Sequence, residues 1–265
     1  MRFVRINDVV ISHDLHGQGS GKPAIAFINS LGTDRRIWDR VVEALAPDFT
    51  ILTFDKRGHG LSDLAAPPYR IEDFSGDLAG LIDHYGLKDV IVCGLSVGGP
   101  IALDLYRARP ELARALVLAD TAHRIGTPEF WNARIDAVRQ SGIASILEPI
   151  MSRWFTAAYR RDDNADYRGY CTMLARQSAE GYAGTCAAIR DADFAEVARS
   201  VAVPTLCIAG AEDGSTPPEL VKSLADLIPA SRFAIIPDAA HIPCVEAPET
   251  FIALLRSFID DLPGA

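Results

Sequence analysis

The chain has 265 residues, of which 49% are hydrophobic and 23% charged, and a formal net charge of −9 at pH 7. That composition supports a sizeable core and excludes a disordered or fibrous chain, and the acidity argues against nucleic acid or an anionic membrane surface as partner. No apolar stretch approaches the ~20 residues needed to span a bilayer. Met1–Asn7 alternates like a strand and has no signal-peptide core, so a cytoplasmic protein is expected. Cys93, Cys171, Cys186, Cys207 and Cys244 form no C-x-x-C pair, which points to reduced thiols with neither a metal site nor a disulfide framework.

In chain order, residues 2–6 and 9–15 read as a hairpin turning at Asn7-Asp8. Gly17-Gln18-Gly19-Ser20-Gly21-Lys22-Pro23 fails as a phosphate loop, because its glycine spacing is wrong and Pro23 replaces the required Ser or Thr; it is expected to be a flexible connection. A buried strand over 23–28 follows. Asn29–Asp34 then leads into an amphipathic helix marked by Ile37, Trp38, Val41, Val42 and Leu45, with Thr33 or Asp34 as its cap. Further strands are predicted over 49–54, 89–93 and 116–119, with helices at 71–85 and after residue 98. This alternation means a parallel, doubly wound sheet, whose ligand sites lie at the strand carboxyl ends.

The rhythm breaks after the sixth strand. Residues 123–194 show no strand pattern and suggest helices starting at Thr127-Pro128-Glu129 and near 143–155, 166–177 and 180–190. They are expected to form a helical cap over a core made of residues 1–122 and 195–265. The sheet resumes at 203–209 and ends with a strand at 232–236, between helices at 218–228 and 248–260, for eight strands in all.

The chemistry centres on Gly94-Leu95-Ser96-Val97-Gly98, a G-x-S-x-G between a strand and a helix, the setting of a nucleophile elbow. Glycines on both sides let strand and helix approach closely, and the helix N-terminus favours developing negative charge at Ser96. A serine nucleophile needs a base, and the base needs a carboxylate to orient it. His241, in the loop after the last strand, fits the base. His59, between Gly58 and Gly60, reads instead as part of a backbone-driven loop. Asp213 is favoured as the acid, with Asp120 one strand earlier as its rival and Glu212 pointing elsewhere. The amides of Val97 and Leu31 would form the oxyanion hole.

Four stretches then carry a resemblance: Phe27–Asp34, Asp55–Ser62, Gly94–Gly99 and Asp213–Pro217, together with Ile125–Arg134 and the pair Asn29-Ser30. Over nearly its whole length the chain resembles α/β-hydrolases of the 3-oxoadipate enol-lactonase group. It departs from that group at His123-Arg124, where a small residue and Lys are expected, and at Val97 in place of Met or Ile. The resemblance implies hydrolysis of 3-oxoadipate enol-lactone through an acyl-enzyme on Ser96, within aromatic-compound breakdown and without metal or organic cofactor. The small anionic lactone would need a cation. Arg134 is the candidate, with Trp131 and Trp154 as walls and Arg124 as rival. A general carboxylesterase, a carbon–carbon bond hydrolase and a ligand receptor of the same fold are the alternatives. Dehalogenase and epoxide hydrolase chemistry is disfavoured because it uses Asp where Ser96 stands.

Overall fold

A computed structural model describes residues 1–17 and 22–263. The Gly17–Pro23 connection therefore falls largely outside the described residues. Before it, β1 (Arg2–Ile6) and β2 (Val9–His16) form the expected hairpin, turning at Asn7 with φ of 51°. That left-handed conformation suits Asn better than most side chains.

Six more strands follow: β3 (Ile25–Ile28), β4 (Ile51–Phe54), β5 (Val90–Leu95), β6 (Ala113–Ala119), β7 (Thr205–Gly210) and β8 (Arg232–Ile236). They complete one eight-stranded sheet in the order β1-β2-β4-β3-β5-β6-β7-β8. From β4 to β8 the pairing is parallel, while β1 and β2 are antiparallel additions at one edge. The central strands are buried along their entire length, which is why they read as apolar runs rather than alternations. β6 begins at Ala113, earlier than predicted from Leu116, because Ala113 and Ala115 pair with β5 although alanine carries no strand signal of its own.

β3 is flanked by β4 and β5, so the chain runs outward first to one side and then to the other. The crevice at this reversal opens above the carboxyl ends of β3 and β5. Register brings the strand ends level: Ile28 pairs with Gly94, Leu95 with Ala119, and Ala119 with Ile208. The residues that follow, Asn29, Ser96 and Asp120, therefore emerge along one rim.

The helices are α1 (Asp39–Leu45), α2 (Ile71–His84), α3 (Gly98–Ala108), α4 (Pro128–Ser141), α5 (Leu147–Trp154), α6 (Ala165–Ala175), α7 (Ala179–Arg190), α8 (Ala195–Ser200), α9 (Pro218–Leu227), α10 (Pro243–Glu246) and α11 (Pro248–Asp260). Asp34 caps the first helical turn by accepting from the Arg36 amide at 3.1 Å, and Arg35–Trp38 is a 3-10 turn leading into α1. α4 to α7 lie between β6 and β7, close to the helices expected there. α8 and the single turn α10 carried no periodic signal, being too short to show one.

Glycines mark the tightest contacts. A Cβ on Gly94 would lie 2.1 Å from the Gly98 carbonyl oxygen, and one on Gly98 would lie 2.6 Å from that of Ile28. At Gly169, inside α6, a Cβ would meet nothing within 4 Å among the described residues. Gly94→Ala is therefore expected to destabilise by about 3 kcal/mol, the upper range for overpacking. Gly169→Ala is expected to stabilise by about 0.5–1 kcal/mol through helix propensity. Urea midpoints of the two variants, with unchanged slope, check both signs.

Candidate active site

Ser96 directly follows β5 and adopts φ of 56°, a strained conformation for a residue with a Cβ. Three hydrogen bonds hold it there. Its amide donates to the Ala119 carbonyl at 2.9 Å, while its own carbonyl accepts from the Thr121 hydroxyl at 2.6 Å and the Gly99 amide at 2.9 Å. The side chain consequently points away from the sheet into a cavity of about 310 Å³, which His241 also lines.

His241 follows β8 and is almost fully buried. Its Nδ1 lies 2.8 Å from Asp213 Oδ2. Asp213 is fixed in turn by the Thr216 hydroxyl, donating to Oδ2 at 2.7 Å, and by the Ser215 and Thr216 amides, donating to Oδ1 at 2.7 and 3.1 Å. Burial alone would raise its pKa, but His241 and these donors outweigh it and hold the carboxyl below the usual range. Asp213 is thus stabilised as the anion facing His241. An ionised carboxylate there makes Nδ1 the protonated ring nitrogen and leaves Nε2 free to act as a base.

Asp120 behaves differently. It directly follows β6 with φ of 44° and is fully buried; Oδ1 accepts from the Gly210 amide at 2.7 Å, while Oδ2 has no partner among the described residues. Burial, reinforced by the neighbouring Asp213 charge, pushes its pKa well above the carboxylate range. Two adjacent buried carboxylates cannot both ionise cheaply, so Asp120 favours the neutral acid with Oδ2 free to carry the proton. One ligand-type atom from each of Asp120, Asp213 and His241 lies within 4.8 Å of the others. Two of these groups, Asp213 and His241, are already hydrogen-bonded to each other. Glu212, the other carboxylate considered, is exposed.

Leu31, in the loop after β3, lines the cavity. Val97 is fully buried at the start of α3 and can reach the site only through its backbone. Among the described residues neither the Leu31 nor the Val97 amide has a protein acceptor, so both donors remain free for a ligand. His59 does not line the cavity; its buried Nε2 accepts from the Gly32 amide at 3.1 Å.

The roof comes from the helices between β6 and β7. Trp131 is buried against the cavity, and its indole N–H donates to the Ile125 carbonyl at 2.6 Å, so it braces the loop into α4 as well as forming a wall. Trp154 is a second, buried wall. Arg134 lines the cavity, donates to the Tyr182 hydroxyl at 3.2 Å and lies 4.8 Å from the centre of the Phe130 ring. Arg153 was not anticipated. It also lines the cavity and lies 5.5 Å from the Phe130 ring centre. An arginine on a short helix beside Trp154 carries no signal of its direction in sequence. Neither guanidinium is within ion-pair distance of a carboxylate among the described residues, and no Asp or Glu lines the cavity. Arg124 lies outside it, half-exposed, and is 4.0 Å from Asp193.

Residues 10–254 match the model of a family described as the alpha/beta hydrolase family. The 3-oxoadipate enol-lactonase 2 of Acinetobacter baylyi is 34% identical over 244 residues, spanning 92% of this chain and 91% of its own. The crystal structure of the enol-lactonase from Burkholderia xenovorans superposes with a TM-score of 0.94 at 32% identity, covering 98% of this chain and 100% of that one. A thermophilic esterase from Thermogutta terrifontis with malate bound gives a TM-score of 0.90 at 27% identity, covering 96% and 94%.

Asp120 yields a prediction about stability. Its raised native pKa means that the native state holds a proton the unfolded chain gives up, so the cost grows as pH rises above the unfolded value near ~3.9. Asp120→Asn removes that cost. It is expected to melt higher than the parent at pH 8, by about 2–4 °C for each kcal/mol relieved, with the gap closing toward pH 4. Calorimetry at the two pH values checks it.

Proposed function

The chain belongs to the alpha/beta hydrolase family, and from that footing we propose that it hydrolyses a small, carboxylate-bearing lactone, 3-oxoadipate enol-lactone, to 3-oxoadipate. One observation carries the reading. A cavity with Ser96 and His241 in its wall holds two guanidiniums, Arg134 and Arg153, and no lining carboxylate to neutralise them. A negatively charged ester fits this combination better than a neutral one. The names of the A. baylyi and B. xenovorans relatives support the lactone, and the malate in the T. terrifontis esterase supports a small carboxylate ligand.

In the proposed mechanism Ser96 Oγ attacks the lactone carbonyl carbon while His241 Nε2 takes its proton. Asp213 stabilises the imidazolium, and the tetrahedral oxyanion rests on the Leu31 and Val97 amides. Collapse breaks the ring carbon–oxygen bond. The departing enol oxygen takes the proton from His241, and the enol tautomerises to the ketone. Water, deprotonated by His241, attacks the acyl carbon and releases the dicarboxylate and Ser96. The helices over residues 123–194 act as a cap, excluding bulk water and presenting both arginines to the distal carboxylate. The pathway of aromatic-compound breakdown follows from the substrate, and the reading calls for no cofactor.

Ser96→Ala is expected to abolish lactone opening, followed as loss of enol-lactone absorbance. Arg134→Met and Arg153→Met are each expected to raise KM for the lactone roughly 10- to 100-fold, the worth of a charge-assisted hydrogen bond of about 1.5–3 kcal/mol. Cleavage of neutral p-nitrophenyl acetate should change by less than about twofold. Equal effects on both substrates would replace the lactone reading with that of a general carboxylesterase.

A further inference from the structure

Behind the loop that carries Leu31 lies a buried lysine that the mechanism above does not use. Lys56, just past β4, is only 1% exposed. Its Nζ donates to the Asn29 carbonyl at 3.0 Å and the Ser30 carbonyl at 2.9 Å, and it has no carboxylate within ion-pair distance among the described residues. A buried cation without a counter-ion is destabilising, and hydrophobic side chains of that length would fill the space without such a cost. The position of its hydrogen bonds gives a reason for it.

The Ser30 carbonyl and the Leu31 amide belong to one peptide unit. A cation bonded to the carbonyl oxygen draws electron density through that unit and makes its N–H a stronger donor, an effect enlarged by the low dielectric of the interior. The rest of the loop is held as firmly. The Gly32 amide donates to His59 Nε2 at 3.1 Å, the Thr33 hydroxyl donates to the Ser30 carbonyl at 2.9 Å, and the Asn29 side-chain amide donates to the Thr33 carbonyl. The Leu31 amide is thereby left aimed at the cavity side without a protein acceptor.

We propose that Lys56 is a positioning residue for the oxyanion hole: its ammonium fixes the Ser30–Leu31 peptide and polarises the Leu31 N–H toward the developing oxyanion. This rests on the reading of Leu31 as an oxyanion donor. The groups facing Lys56 are few. Asp55 and Asp34 favour its charge, but Asp55 is engaged by the Arg35 and Leu61 amides and Asp34 by Arg36. His59 is held neutral by burial and by the lysine charge itself. Burial pushes Lys56 down to about 7, so it is charged below that pH and loses its charge above it. The neutral amine still donates to the carbonyls, keeping the loop in place but without the polarisation.

The test is the acylation rate of p-nitrophenyl acetate, read as the first-turnover release of p-nitrophenolate across pH 5.5–9, in wild type, Lys56→Met and Ser96→Ala. Lys56→Met is expected to slow acylation by about 10- to 100-fold, less than the ~10²–10³ of a whole lost donor, with KM within about threefold. Dividing wild-type by Lys56→Met acylation removes the pH dependence common to both, and this ratio is expected to fall as pH rises through about 7. A folded Lys56→Met with wild-type acylation, or with a loss confined to KM, overturns the proposal. Absence of any Ser96-dependent release in wild type would instead overturn the hydrolase reading beneath it.

Should Lys56→Met fail to fold, Lys56→Arg decides the matter. A guanidinium keeps its charge across pH 5.5–9, so the ratio of wild-type to Lys56→Arg acylation is expected to fall as pH rises through about 7. A ratio that does not change with pH overturns the proposal.

Discussion

Ser96 stands in a left-handed backbone conformation, φ of 56°, and nearly everything at the strand ends follows from it. The conformation is tenable because Gly94 and Gly98 leave room for the chain to double back, and because Ala119, Thr121 and Gly99 hold the serine by its backbone alone. No side-chain atom of Ser96 is spent on structure. Its hydroxyl is free for chemistry, and the turn that frees it starts α3, so the helix dipole acts on the same spot. The level register of β3, β5, β6 and β7 then sets Leu31, Asp120 and Asp213 along the same rim.

Charge is apportioned unevenly around this rim. Of two adjacent buried acids, Asp213 collects donors and stays ionised, whereas Asp120 is left with an unpartnered oxygen and favours its proton. Cations lie on both sides of the site, Lys56 beneath the loop after β3 and the two arginines in the roof. The protein as a whole carries a net charge of −9, so any positive field at the site is local and belongs to these residues.

Local patterns carried most of the fold in the sequence. Buried strands are continuous apolar runs, the elbow is contiguous, and the break in strand rhythm at residue 123 was visible as a change of period. Less was legible at the site. Asp120 and Asp213 both lie just past strand ends, and only the turn from Asp213 to Thr216 decides which one meets His241. Arg134 was the candidate and Arg124 its rival, and only the structure sets Asp193 beside Arg124 and the cavity beside Arg134. Arg153 and Lys56 escaped notice for a shared reason. A long polar side chain declares its residue type in sequence, but its direction is set by neighbours far along the chain.

Gly32 links the two halves of the cavity. At φ of 76°, the place its Cβ would take is 2.8 Å from Leu174, 3.0 Å from Tyr182 and 3.4 Å from Trp154, all three on the helices between β6 and β7. The next residue back, Leu31, carries the proposed oxyanion amide. At Gly32, roof and floor thus meet with no side chain between them. A different set of helices grafted between β6 and β7 would have to reproduce this flat contact, or the change of roof would distort the loop on which the proposed oxyanion amide sits. Substrate range and catalytic geometry are therefore not independent traits in this chain.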